Sequence, residues 1–188
     1  KKDKGRVKNL YDLDGIDDLQ GTIGIAHTRW ATHGKPSKEN SHPHLDNDKY
    51  FSVVHNGIIE NYNELREHLI SMGYTFYSQT DTEVIPNLIH SYYARDTKDV
   101  KQNVLRAVQS ACIQVLSKDL PDNIIVARKD SPLVIGKGDE ENYISSDIPA
   151  ILSFTKDFYF LDDNELAILS RNDIEFYDMN LNRLNKKV

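Results

Sequence analysis

Arginine, histidine and hydroxyl side chains are concentrated in residues 27–34 (HTRWATHG) and 39–44 (ENSHPH). Arg29 stands at the end of an alternating apolar run, beside these groups and ahead of Gly34. Its guanidinium group carries N–H donors in a planar fork that matches a carboxylate. The pattern therefore indicates a carboxylate-binding strand end, and it leaves open the alternative of a solvated strand end anchored by Trp30.

Imidazole groups are common zinc ligands, and this part of the chain contains His27, His33, His42, His44 and His55. Their spacing does not match a zinc site. His42 and His44 flank a proline, no cysteine is near, and no His-x-x-x-His pair places two nitrogens on one helix face. We therefore expect no metal, and we expect no other cofactor.

A second motif, His55-Asn56-Gly57, follows the apolar run that begins at Tyr50. An asparagine amide beside an accessible glycine N–H offers two donors for a developing oxyanion. An ordinary Asn-Gly turn is the alternative explanation.

A third motif, residues 79–84 (QTDTEV), stands where a helix is expected to begin. Asp81 could cap that helix, or it could accept a hydrogen bond from an ammonium group. In the second case Arg29 and Asp81 would bind the zwitterionic end of an amino acid. Asn56 and Gly57 would then contact a carbonyl at the far end of its side chain.

Such a site needs a nucleophile, and the single cysteine, Cys112, has apolar neighbours (SACIQV). We interpret it as an inert core thiol. Ser41 and Thr32 have no recognisable base beside them. The residues alone thus predict an amino-acid site without a nucleophile.

The hydrophobic pattern predicts the elements that hold these motifs. Strands are expected at residues 22–30 and 50–55, followed by a helix from Glu60 to Gly73, one beginning near Thr80 or Asp81, and one capped by Asp99. The remaining predicted strands are 112–116, 124–127, 133–135, 143–144, 165–169 and 174–177, with a short helix at 148–154. This order indicates an α+β domain with helices layered on antiparallel sheets.

Composition narrows the classes of function. A chain of 188 residues fits one domain, and a net charge of −6 offers no basic surface for nucleic acid. No segment approaches the ~20 apolar residues of a membrane span or has the pattern of a signal peptide. We expect no nucleic-acid or membrane partner and a cytoplasmic location, with which a lone cysteine is consistent.

The strings HTRWATHG, ENSHPH, VVHNGIIENY and QTDTEV, in this order and spacing, closely resemble the glutaminase domains of glucosamine-6-phosphate synthases. These are class II glutamine amidotransferases of the N-terminal nucleophile hydrolase fold. Weaker agreement continues through KDSPLVIGKG, Ser146-Asp147-x-x-Ala150 and NELAIL, so the likeness covers nearly the whole chain from about Lys4. It implies a four-layer αββα sandwich.

The resemblance also implies roles for individual residues. These are Arg29 for the glutamine carboxylate, Asp81 for its amino group, Asn56 and Gly57 for the oxyanion hole, Thr32, His33 and His42 for the pocket, and Trp30 near the passage that carries ammonia. The family's nucleophile is a cysteine at the mature N-terminus, whose own α-amine acts as the base.

That cysteine and its strand would precede Lys1, and a sugar-isomerase domain would follow Val188. We therefore expect residues 1–188 to form one type-2 glutamine amidotransferase domain, incomplete at its N-terminus. Its partner is L-glutamine. Fructose 6-phosphate would bind only through the isomerase domain, and the full-length form would be a homodimer that makes glucosamine 6-phosphate. The alternative is a nucleophile-less module that binds glutamine or glutamate in a regulatory or structural role.

Overall fold

The computed structural model describes residues 1–30, 34–107 and 112–188, with only the backbone at Cys112. Its three helices are α1 (Tyr62–Ser71), α2 (Val84–Arg95) and α3 (Val100–Ala107), and a short 3-10 helix spans Val7–Leu10. The strands are β1 (His44–Leu45), β2 (Phe51–Asn56), β3 (Cys112–Ser117), β4 (Leu120–Arg128), β5 (Val134–Lys137), β6 (Asn142–Ser145), β7 (Asp157–Phe160), β8 (Glu165–Leu169), β9 (Ile174–Tyr177) and β10 (Arg183–Leu184).

Seven of these strands form one antiparallel sheet in the order β1-β2-β3-β4-β8-β9-β10. Side chains alternate between its two faces, so each central strand contributes to two cores. On β4, for example, Ile125 and Ala127 belong to the core on one face and Val126 to the core on the other. A strand buried on both faces reads as a continuous apolar run, which is the pattern of Ile124 to Ala127.

The three helices cover one face of the large sheet. α1 buries Leu69 completely and ends before Gly73, whose φ of 93° suits a residue that terminates a helix. α2 lies against β2 and is buried along most of its length. α3 begins after Asp99, whose Oδ1 accepts the Gln102 N–H at 3.2 Å and so caps the helix as predicted.

A three-stranded sheet in the order β6-β5-β7 packs on the other face of the large sheet. Ile135 of β5 is fully buried in the core between the two sheets. The next residue, Gly136, faces the opposite side, where an added Cβ would lie 2.6 Å from Thr155 Cγ2 and 3.0 Å from Ile151 Cδ1. The segment around Ile151 therefore covers the outer face of the small sheet.

The α+β class and the layering of helices on antiparallel sheets are confirmed. Helices, large sheet and small sheet form three layers in the described residues, and turns around Ile151 cover the fourth position. The short helix predicted at 148–154 is wrong, because this segment consists of turns closed by Ile151 N–H to Ile148 O and Phe154 N–H to Ile151 O bonds.

The strand predicted at 22–30 is also wrong. Its side chains do alternate between more and less exposed positions, as in a strand, but the segment is not assigned to either sheet. An alternating pattern predicts extended backbone, whereas a strand also requires a partner for its N–H and C=O groups.

No described helix is long and apolar enough to cross a membrane.

Candidate functional site

The Asn56-Gly57 motif lies where β2 leaves the large sheet, and Asn56 is paired with Cys112 at the start of β3. Both Asn56 and Gly57 are exposed. Beside them is a cavity of about 440 Å³ between the two sheets, which we call the inter-sheet cavity. Its lining includes His27, Thr28, His55, Asn56, Gln114 and Tyr143.

Gly57 has a φ of 154° and packs end-on against the buried ring of His55. A Cβ at this position would lie 2.9 Å from His55 Nε2, closer than side-chain carbons approach. Glycine is therefore required here by space as well as by backbone angle. This explains the Asn-Gly sequence by a specific contact and not only by a generic turn.

Three buried histidines surround the end of β2. His42 stacks on His27 with ring centroids 4.3 Å apart and meets His44 edge-on at 4.8 Å. The His55 backbone N–H donates to His42 Nδ1 at 3.3 Å. A ring nitrogen that accepts carries no proton, so the neutral His42 ring has its proton on Nε2.

Burial keeps these rings neutral. It lowers the pKa of His42 to about 2, and the neighbouring His27 and His44 contribute to the same shift. Burial lowers the pKa of His44 to about 3, with Lys2 and Arg29 adding to the effect. For His55, burial lowers the pKa to about 4 against the opposing influence of the Asp81 carboxylate. At neutral pH the cluster thus supplies hydrogen bonds without charge.

Arg29 donates from its guanidinium to the Gly34 carbonyl at 3.0 Å. Gly34, with a φ of 76°, packs tightly on Asn40 and Gln79. Asn40 joins the two segments, since its amide donates to Lys35 O at 2.9 Å and accepts the Gln79 N–H at 2.8 Å. The loop contacted by Arg29 is therefore tied to the segment that contains Asp81.

Asp81 is 4% exposed, and its Oδ2 accepts the Ile59 N–H at 2.9 Å. The interpretation of Asp81 as a helix cap is wrong, because α2 begins at Val84 after Glu83 and has no side-chain cap. The carboxylate instead holds the peptide two residues beyond Gly57. Asp81 and the Asn56-Gly57 turn are therefore neighbours.

The other predicted site residues are placed differently. Trp30 is 90% exposed, and Thr32 and His33 lie outside the described residues. Over residues 1–30, 34–107 and 112–188, no group of three or more His, Cys, Asp or Glu side chains is arranged so that it could hold a metal ion. The side chain of Cys112 is likewise outside the described part of the chain.

Sequence reasoning did not assign roles to Asn40 or Thr82. Asn40 is 2% exposed and Thr82 is 2% exposed, and both bridge segments that are distant in the chain. Both residues occur in the motifs ENSHPH and QTDTEV, but a single sequence does not reveal which polar residue of a motif is buried.

Known proteins are similar to this chain in sequence and in fold. A family model described as a glutamine amidotransferase domain matches residues 27–153. The glutamine–fructose-6-phosphate aminotransferase (isomerizing) of Caldanaerobacter subterraneus subsp. tengcongensis is 53% identical over 180 residues, covering 95% of this chain and 30% of that protein. The protein of the same name from Clostridium perfringens is 48% identical over 188 residues, covering 100% of this chain and 31% of its own length.

Among solved structures, the glutamine phosphoribosylpyrophosphate amidotransferase from B. subtilis superimposes with a TM-score of 0.67 at 20% identity. That match covers 84% of this chain and 35% of the other, and it shows a shared fold. The chain spans about 30% of the length of the first of these relatives. With a family model that matches well over half of its residues, the chain belongs to the glutamine amidotransferase domain family.

Proposed function

We propose that this chain is a glutamine-hydrolysing domain that releases ammonia for the synthesis of glucosamine 6-phosphate from fructose 6-phosphate. The observation that carries the proposal is the contact between the buried Asp81 carboxylate and Ile59, two residues beyond Gly57. It sets a buried anion next to two exposed hydrogen-bond donors. An amino acid whose side chain ends in an amide requires both features.

In this proposal Arg29 binds the α-carboxylate of L-glutamine and Asp81 binds its α-ammonium group. Arg29 already donates to a carbonyl, Gly34 O, on the loop that Asn40 ties to Gln79. The proposal assigns Thr32, His33 and His42 to the pocket wall and the exposed Trp30 to the passage for ammonia. The neutral imidazole of His42 suits this wall because it adds no charge that competes with the substrate's ammonium group.

The reaction begins when a cysteine thiol attacks the side-chain amide carbon of glutamine while its proton passes to the α-amine of the same cysteine. The Asn56 amide and the Gly57 N–H hold the resulting oxyanion. Collapse breaks the C–N bond and releases ammonia, which takes up the proton, and leaves a glutamyl thioester. Water then hydrolyses the thioester to glutamate and regenerates the thiol.

The nucleophile in this proposal is an N-terminal cysteine of the intact polypeptide, and not Cys112 at the start of β3. An electrophilic glutamine analogue, followed by peptide mapping, tests this. We expect glutamate and ammonia release to be blocked and the label to be on an N-terminal cysteine. Cys112→Ser should retain activity. Labelling of Cys112, or loss of activity in that variant, would overturn the assignment.

A nucleophile-less module that binds glutamine or glutamate is the second candidate. Such a module would hold its ligand with the same Arg29 and Asp81 side chains, because binding an amino acid does not require a nucleophile. The two functions differ in the same experiment, because a binding module takes up L-glutamate in calorimetry but neither releases ammonia nor reacts with the analogue.

The proposed use of the ammonia follows from the similarity to glutamine–fructose-6-phosphate aminotransferases. An isomerase domain of the intact polypeptide would bind fructose 6-phosphate, and the intact form would be a homodimer. Light scattering gives the oligomeric state. Formation of glucosamine 6-phosphate from both substrates tests the coupling, and glutamine hydrolysis that never yields the amino sugar would limit the function to the glutaminase reaction.

A further inference from the structure

The Asn56-Gly57 turn is enclosed by a ring of hydrogen bonds that includes two residues, His55 and Thr82, without a role in the proposed mechanism. His55 Nδ1 contacts Thr82 Oγ1 at 3.0 Å, and Thr82 Oγ1 donates to Asp81 Oδ1 over a longer 3.5 Å. Asp81 Oδ2 then accepts the Ile59 N–H at 2.9 Å. Since Ile59 is four residues after His55, the ring closes around the turn.

The chemistry of these groups determines which atom donates and which accepts at each contact of this hydrogen-bond ring. An ionised carboxylate only accepts, and a threonine hydroxyl has one proton to give. Both contacts of Thr82 are satisfied when its proton goes to Asp81 and its oxygen accepts from His55. His55 must then carry its proton on Nδ1, which leaves the lone pair on Nε2.

The Nε2 atom of His55 is buried and has no hydrogen-bond partner among the described residues. It lies under Gly57, where a Cβ would approach to 2.9 Å. The ring of His55 is 3% exposed, so it cannot turn away into solvent. A shift of Asp81 or Thr82 would therefore be transmitted to Gly57 through two routes, the His55 ring on one side and Ile59 on the other.

We propose that His55 and Thr82 are positioning residues that couple recognition of the substrate's α-amino group at Asp81 to the geometry of the Asn56-Gly57 oxyanion turn. The inference rests on the function proposed above and deepens it. The donors that Asp81 meets here, Ile59 N–H and Thr82 O–H, are both neutral. A substrate ammonium group adds a charged donor to the same carboxylate. This contact draws the hydrogen-bonded residues around the Asn56-Gly57 turn, and with them the turn itself, into the catalytic position. The site thus selects ω-amides with a free α-amino group at the catalytic step.

The test compares L-glutamine with 4-carbamoylbutanoate, which is glutamine without its amino group, in the intact polypeptide that carries this sequence. Wild type is expected to favour glutamine in kcat as well as in KM. Thr82→Val removes the hydroxyl, and kcat for glutamine should fall by at least about tenfold because the amino group held at Asp81 no longer draws the turn into its catalytic position. The same substitution should change kcat for 4-carbamoylbutanoate little. His55→Phe, which keeps a ring under Gly57 without nitrogens, should behave like Thr82→Val.

Two variants separate coupling from stability. Thr82→Ser keeps the hydroxyl and should restore the preference of wild type for glutamine. Thr80→Val removes a buried hydroxyl that contacts His44 instead of His55, and it should leave the ratio of kcat values for the two substrates unchanged. An equal loss of kcat for both substrates in Thr82→Val would overturn the coupling while leaving the glutaminase function intact.

A measurement without turnover separates this inference from the proposed function. Nitrogen NMR of the wild-type imidazoles should find the His55 proton on Nδ1, and L-glutamate, but not glutarate, should shift the Gly57 amide resonance. A proton on Nε2, or a Gly57 resonance that ignores the amino group, would overturn the inference. If wild type turns over neither amide and the Gly57 shift is still seen, the proposed hydrolysis fails and the coupling stands.

Discussion

Asn56 and Gly57 derive their proposed role from position, because each is exposed at the end of a buried strand and beside the inter-sheet cavity. The Asn56 amide would contact the substrate carbonyl most strongly once that oxygen carries negative charge. Asn56→Ala is therefore expected to lower kcat for glutamine hydrolysis by about a hundredfold or more, with little change in binding. Steady-state kinetics together with calorimetry of L-glutamate measure the two effects.

The matched control is Asn61→Ala, which removes another exposed amide just before α1. It should leave both kcat and the binding of glutamate unchanged. An Asn56→Ala variant that loses binding and turnover in equal measure would indicate that the residue only shapes the turn.

Arg29 is predicted to act in binding and not in the chemical step. Removal of the guanidinium leaves a substrate carboxylate without its charged partner, which costs about 3–5 kcal/mol in a buried pair. Arg29→Ala should therefore abolish measurable binding of L-glutamate in calorimetry, whereas Arg171→Ala, at an arginine whose side chain is 67% exposed, should not. Unchanged affinity in Arg29→Ala would contradict the assignment.

The buried histidines act at the scale of elements, since they join β1, the end of β2 and the segment before Trp30. Each has a folded-state pKa below its ordinary value of 6.5, at about 2 for His42, about 3 for His44 and about 4 for His55. Above pH 6.5 both the folded and unfolded forms are neutral. Below it the unfolded chain binds protons that the folded chain does not, so folding stability falls as the pH falls from 6.5 toward 4.

Each such histidine contributes up to about 1.4 kcal/mol per pH unit to this slope. Urea unfolding at about pH 7, 6 and 5 should show a steep loss of the free energy of unfolding, and His44→Gln should reduce the slope. His68→Gln, at an exposed position on α1, should not. A free energy of unfolding that is flat across this range would show that the rings accept protons without cost.

Element prediction succeeded where the signal is local. Gly73 and Asp99 mark helix ends through their own backbone and side-chain chemistry, and both were identified from sequence. The strand β7 was missed because its residues, DFYF, are flanked by charges and lack a clear alternation. The strand prediction at 22–30 failed because strand pairing depends on residues distant in the chain, and the local alternation contains no information about them.

The candidate site was predictable to a similar degree. Side-chain types placed Arg29, Asp81, Asn56 and Gly57 in one predicted site, and in the structure Asp81 lies next to the Asn56-Gly57 turn. The His55–Thr82–Asp81 contacts were not predictable, because they depend on where α2 begins relative to β2. The cap chemistry of Asp81 alone suggested a different hydrogen bond from the one that forms.

At the scale of the whole molecule, the large sheet is shared by two cores. Leu166 and Ile168 of β8 face the helices, while Ala167 and Leu169 face the small sheet. A cavity on either side therefore weakens packing on the same strands. The two cores should lose stability together even though they have no side chain in common.

This predicts the effect of paired substitutions on opposite sides of the sheet. Leu69→Ala on α1 and Ile135→Ala on β5 each remove a fully buried side chain and should cost about 2–5 kcal/mol. Hydrogen exchange read by mass spectrometry should accelerate in β4 and β8 for both variants. Ile70→Ala, next to Leu69 but 51% exposed, should leave exchange unchanged. If Leu69→Ala loosened only the helices and left β4 and β8 protected, the two cores would be independent, because the strands they share would not be transmitting the loss.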